Sequence, residues 1–176
     1  MEIRFSERLN SILGYAREEA MRTGCYAITV DHLILGILRD GDNDACRALA
    51  GLGIDIIGLK HFIDSEISRD KIVPFGDGCR ISVSRGAENA INMAALEALK
   101  SDQTEVSPAH LLLAATRISG GAGQSYFERN GLTTGKIGDY MRANGMLLNQ
   151  VRKVTPSPEE ITHLIKISNI GGLKFS

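Results

Sequence analysis

Residues 29–39 read TVDHLILGILR, and residues 107–117 read SPAHLLLAATR. Each stretch opens on a hydroxyl suited to capping a helix, places a histidine three positions later, and then runs through residues apolar on nearly every side. A helix with so little polar surface belongs in the middle of a fold. His32 and His110 stand 78 positions apart, and the same offset aligns the chain on either side without a gap. It superposes Ser6 on Ser84, Ala16 on Ala94, Glu19 on Glu97, Ala20 on Ala98, Leu33 on Leu111, Leu35 on Leu113, Arg39 on Arg117 and Gly53 on Gly131. Where identity is lost, Leu13/Ile91, Thr29/Ser107, Leu49/Phe127, Ile54/Leu132, Leu59/Ile137 and Phe62/Tyr140 keep the apolar or capping role. The chain therefore carries an internal repeat, whose copies are expected to bury each other's apolar faces with pseudo-two-fold symmetry.

Working outward from those central helices, Leu9, Ile12, Leu13, Ala16 and Ala20 recur at three- and four-residue spacing behind Ser6, which predicts an amphipathic first helix ending near Gly24. A short helix opens at Asp44 and stops at Gly51 or Gly53, and Asp55 caps a fourth. The second copy predicts helices from Ser84 to about Leu99, from Ser107-Pro108 to about Arg117, from Ser125 to Asn130, and from Thr133 or Thr134 to Met141. Val73 to Gly78 has turn chemistry and no helical period, and reads as the connector. The expected fold is all-α: two four-helix repeats over 3–141 (repeat one 5–63, connector 64–82, repeat two 83–141). A C-terminal extension, 142–176, adds one helix from Ser157-Pro158, with Ile161, Leu164 and Ile165 along one side.

Composition narrows the function. With 20 Lys+Arg against 21 Asp+Glu, there is no overall positive field to gather nucleic acid or anionic membrane. The central helices carry no basic recognition face, so nucleic acid is not an expected partner. Apolar runs such as Leu33–Leu38 are too short to cross a bilayer, and Met1–Arg4 has no signal-peptide core. Three cysteines, Cys25, Cys46 and Cys79, odd in number and without CxxC spacing, fit a reducing compartment. A cytoplasmic protein is expected.

The stretches FSERLNSILGYAREEAMRTG (5–24) and TVDHLILGILRDGDNDACRALAGLGID (29–55) resemble the amino-terminal repeat domain of the Clp family of AAA+ unfoldases. That family's repeats run F-T-x-R-A…A-x-x-E-A…T-E-H-L-L-L-G-L-L…L-G-V-D. In the second copy, SPAHLLLAATR and FERNGLT (127–133) stand for the middle and end of the pattern. The resemblance implies a helical module that sits on an ATPase ring and receives a Clp adaptor or a substrate protein. A partner of this kind, or the Clp ATPase ring itself, is the expectation for this chain. The nearest approach to a phosphate-binding loop, GLTTGKI (131–137), has three residues between its glycines instead of four, and isoleucine where Ser or Thr must follow the lysine. No ATPase activity and no cofactor are expected.

The chemistry-bearing residues read mostly as structural. His32 and His110 share one repeat position, which packing or a hydrogen bond explains; His61 and His163 have no companion at ligand spacing, so no metal site is expected. No GxSxG elbow or comparable catalytic set appears. Gly120-Gly121-Ala122-Gly123 reads as an inter-helix loop. In Clp relatives that recognise phosphorylated arginine, each repeat offers a hydroxyl at the start of its first helix and a glutamate before the shared histidine. By that resemblance Ser6, Asp31 and Ser84 are the candidate peptide or phosphoarginine contacts, and Ala109 stands where the second carboxylate would be. The plainer account makes Ser6, Thr29, Ser84 and Ser107 helix caps and places Asp31 in a helix's first turn, where the dipole favours it. The expected function is a non-catalytic interaction module; the alternative is a small-molecule-binding protein or enzyme that has reused the fold.

Overall fold

The structure is a computed structural model that describes residues 2–147. The predicted C-terminal helix from Ser157, and most of the extension assigned to 142–176, lie outside the described residues. The described elements run in chain order as β1 (Arg4–Phe5), α1 (Glu7–Arg22), β2 (Ala27–Ile28), α2 (Val30–Asp40), α3 (Asp44–Gly51), α4 (Ile56–Ile67), a 3-10 turn (Phe75–Arg80), β3 (Ser82–Val83), α5 (Arg85–Lys100), β4 (Glu105–Val106), α6 (Pro108–Ala115), α7 (Ala122–Arg129) and α8 (Thr134–Ala143). The fold is all-α in class, and its helices fall at the 78-residue offset, α1 with α5, α2 with α6, α3 with α7 and α4 with α8.

Local chemistry sets the helix starts. Ser6 Oγ accepts the Leu9 N–H at 3.0 Å and Ser84 Oγ accepts the Ala87 N–H at 3.1 Å, the same cap in each copy. Behind them α1 buries Leu9, Ile12, Leu13, Ala16 and Ala20 against α2, of which Leu33, Ile34, Leu35 and Ile37 are 0–1% exposed. Gly36 makes the approach possible, since a Cβ there would stand 2.7 Å from the Ile12 carbonyl oxygen. In the second copy α6 is buried along its whole length, from Pro108 to Ala115. One continuous core joins both copies, from Ile3 to Leu147.

The short helix of copy one opens at Asp44 and stops at Gly51, as the sequence reading has it, and its cap is Asn43, whose Oδ1 accepts the Cys46 N–H at 2.8 Å. Two details differ from the sequence reading. Two pairs of two-residue parallel strands link the copies, β1 with β4 and β2 with β3. Helix α7 begins at Ala122, three residues before the predicted Ser125, so Ala122 and Gly123 are first-turn helix and not loop. What caps it is not local.

Candidate functional site

Strand pairing decides which residues meet. The Ser84 N–H donates to the Ile28 carbonyl at 2.9 Å, and the Ser6 N–H to the Val106 carbonyl at 3.0 Å. Each first-helix hydroxyl is thereby carried to the other copy's central helix. Ser84 lines a cleft of about 570 Å³ with Thr29, Asp31, His32, Glu66, Arg69 and Gly121. Ser6 lines a second, of about 450 Å³, with Asp44, Arg47, Gln103, Ser107, His110 and Asn144. Thr29/Ser107, His32/His110, Glu66/Asn144 and Ser84/Ser6 are pairs in the repeat register, so the two clefts are the same place built twice. Of the three candidate contacts, the structure brings Asp31 together with Ser84 and places Ser6 at the other cleft.

Asp31 is 7% exposed, and its carboxylate is engaged. Oδ2 accepts the Ala122 N–H and Oδ1 the Gly123 N–H, both at 2.9 Å. These are orphan donors of the first turn of α7, so a residue of copy one caps a helix of copy two. The N-cap residue itself is Gly121, which has no side chain to offer; a Cβ there would come to 3.1 Å of Asp31 Oδ1. The glycine-rich stretch is the receptor for a carboxylate. At the other junction the roles are exchanged: Asp44, the counterpart of Ala122, accepts the Ala109 N–H on Oδ1 at 2.9 Å. The carboxylate missing at Ala109 is thus present across the same contact, on the opposite partner.

Both histidines lie beneath these clefts. His32 is fully buried; its Nδ1 accepts the Thr29 N–H at 2.9 Å, so Nε2 carries the proton and donates to Thr23 Oγ1 at 2.9 Å. Burial pushes its pKa down to about 4, against a smaller opposing pull from Asp31. His110 repeats the first bond, Nδ1 accepting the Ser107 N–H at 3.0 Å, and burial lowers its pKa too. Its Nε2 has no hydrogen-bond partner among the described residues. Neither imidazole is placed as a general base, since the basic Nδ1 lone pair of each is already taken by a backbone N–H. Cys46, with its thiol on the Ile37 carbonyl, has its pKa pushed up to about 11 by burial. Among the described residues no group of three or more His, Cys, Asp or Glu could hold a metal ion, and no helix is long and apolar enough to cross a membrane.

A sequence profile, the Clp repeat (R) N-terminal domain, matches residues 4–130, which span both copies. The chain belongs to the Clp-N family. The ClpC/MecB protein of Bacillus subtilis (strain 168), a negative regulator of genetic competence, is 29% identical over 133 residues, covering 76% of this chain and 16% of that protein. The chaperone ClpB of Oceanobacillus iheyensis is 27% identical over 135 residues, with 76% and 16% covered. This Clp-N chain therefore spans about one sixth of the length of those relatives. The crystal structure of the N-terminal domain of the chaperone ClpD from Arabidopsis thaliana superposes with a TM-score of 0.62 at 18% identity, covering 80% of this chain and 96% of that one. At that identity the likeness concerns the fold.

Asp44 and Gly121, both members of the junctions, are not among the candidate contacts read from the sequence. Their signal was the mismatch Asn43/Gly121: a strong N-cap in one copy faces a residue with no side chain in the other.

Proposed function

We propose that this Clp-N domain is a non-catalytic receiving module of the Clp chaperone and protease system, taking adaptor proteins or degradation-marked substrates on behalf of a Clp ATPase ring. The observation that supports this reading is the pair of open clefts at the junctions, each floored by a neutral histidine and rimmed by hydroxyls and charged side chains, in a chain that belongs to the Clp-N family. The Asp31–Ser84 cleft is the recognition site. Ser84 opens the sixteen-residue helix α5, whose amino end suits an anion, while Asp31 suits a guanidinium. A carboxylate offers about four lone-pair positions, and Asp31 uses two on α7. The remaining two face a guanidinium without the cap being broken. In the Ser6 cleft Ala109 stands at the corresponding corner, and the carboxylate comes from Asp44 on the opposite partner.

The test is calorimetric titration with a phosphoarginine peptide and its unphosphorylated control. Saturation near one site per chain, specific for the phosphorylated peptide and weakened by Ser84→Ala, is the expected result. Heat of equal size from both peptides would replace the degron reading with general peptide binding. Heat from neither, with a purified Clp adaptor still binding, would leave adaptor docking alone. Failure of all three sinks the module reading.

A further inference from the structure

The two junctions differ in a group of three residues that act together. Beside the Ser6 cleft, Arg8 Nη1 pairs with Asp40 Oδ2 at 3.2 Å, and the same oxygen accepts from Asn43 Nδ2 at 2.9 Å. The repeat offset turns Arg8, Asp40 and Asn43 into Gly86, Ile118 and Gly121. The whole network is gone from the Ser84 side, and none of its replacements carries a polar side-chain atom.

What stands there is apolar and open to the cleft. A Cβ on Gly86 would lie 3.5 Å from Ile118 Cγ2 and 3.6 Å from Val30 Cγ2, so the two methyls flank the glycine. Ile118 is half-buried and packs against the core. Gly86, Val30 and Ile118 line the same cleft as Asp31 and Ser84. At the other junction Arg8 and Asp40 line a neighbouring depression with Arg4, Glu7 and Glu105. The Ser6 side thus presents an ion pair where the Ser84 side presents methyls.

We infer that the Ser84 cleft selects a peptide whose arginine or phosphoarginine is flanked by an aliphatic residue, the aliphatic side chain lying on the Gly86–Val30–Ile118 wall. This rests on the reading of that cleft as the recognition site. The wall dictates the chemistry of its occupant. A charged or amide side chain laid there would lose water and gain no partner, whereas an aliphatic one takes its own surface and that of Ile118 out of water together.

Calorimetric titration of the full chain with two phosphoarginine peptides, one with leucine on both sides of the modified residue and one with serine, tests this. The leucine peptide should bind roughly tenfold more tightly. Gly86→Arg, Ile118→Asp, which installs the pair that the other junction already carries, should bring that ratio to about one. Should the double variant misfold, Ile118→Asp alone, at a half-exposed position, serves the same purpose. Equal affinities in the unaltered chain overturn the wall and leave the receiving-module reading standing. A leucine preference that survives in the variant places the apolar contact elsewhere and also overturns it. If neither phosphopeptide binds, the degron reading fails first, and the unphosphorylated leucine- and serine-flanked arginine peptides decide: a leucine preference abolished by the variant upholds the wall, and no preference overturns it.

Discussion

His32 and His110 occupy one position in a sequence written twice, and they end in different circumstances. Both accept the N-cap amide on Nδ1. Only His32 completes its bonding, through Thr23 Oγ1, which in turn donates to the Glu19 carbonyl at 2.8 Å. Thr23 is 1% exposed, whereas its counterpart, Ser101, is half-buried. The buried glutamates keep one partner and change the others: Glu19 pairs with Arg22 and Glu97 with the counterpart Lys100 of its own helix at 3.6 Å, but Arg22 goes on to Asp64 on α4 at 2.7 Å, while Glu97 also takes Arg117 from just beyond α6. The repeat thus holds its apolar pattern rigidly and lets its polar contacts drift. A buried methyl has one requirement, to be surrounded, whereas a polar group can be satisfied from several directions.

The largest expected effect tests the shared part. Leu35 and Leu113 are each 1% exposed in the two central helices, and replacing either by alanine should cost about 2–5 kcal/mol by opening a cavity. Since one core joins the copies, the two variants should each lower the midpoint of a single cooperative transition. Two separate transitions in denaturant, one moved by each variant, would show that the copies unfold independently.

The histidines come next. A His32 pKa near 4 in the folded protein, against an unfolded value near 6.5, means that the unfolded chain binds the extra proton first on acidification. Stability is therefore fully present above about pH 6.5 and is lost as pH falls toward 4, by about 3 kcal/mol for this one residue. His110 shifts in the same direction and adds to the slope. Denaturation midpoints between pH 4 and 7 should be visibly less steep in His32→Gln. An unaltered slope would assign the acid sensitivity to other groups.

The junctions separate the copies further. Asp31→Ala removes two charge-assisted bonds and strands two amides of α7, which should cost about 2–3 kcal/mol. Asp44→Ala removes one such bond, to Ala109, and should cost about half as much. Hydrogen exchange should localise the first loss to the start of α7. Equal costs for both would mean that the number of bonds does not set the strength of these contacts.

Most of the fold was legible because a 3.6-residue period and a local cap mark each of α1, α2, α5 and α6 twice over. The start of α7 was not, since Gly121 carries no side chain and its cap comes from Asp31, 91 positions earlier. Nor were the strands, two residues being too few to show alternation. Their pairing is what sends Ser84 to Asp31 and Ser6 to Ser107. Sequence named those candidate residues; only the crossed pairing of the copies says which share a cleft.

The smallest expected effect is the sharpest test of how the two histidines differ. If the second copy lacks only the group that fixes a hydroxyl beneath its histidine, Ser101→Thr should supply it. The Thr23 hydroxyl is held by carbonyls of the preceding turn, Glu19 at 2.8 Å and Ala20 at 3.2 Å, and the added methyl restricts χ1 so that the oxygen stays there. The same geometry at 101 would bring an acceptor to His110 Nε2, a gain of about 0.5–1.5 kcal/mol for one buried bond. The imidazole Nε2–H resonance of His110 should then become as protected from exchange as that of His32. A rise in stability without that protection would credit the extra methyl with packing alone. No rise at all would mean that the backbone at the end of α5, where the Ser101 N–H reaches the Glu97 and Ala98 carbonyls, has turned position 101 away from the histidine. In that case the divergence of the copies lies in the main chain and not in one side chain.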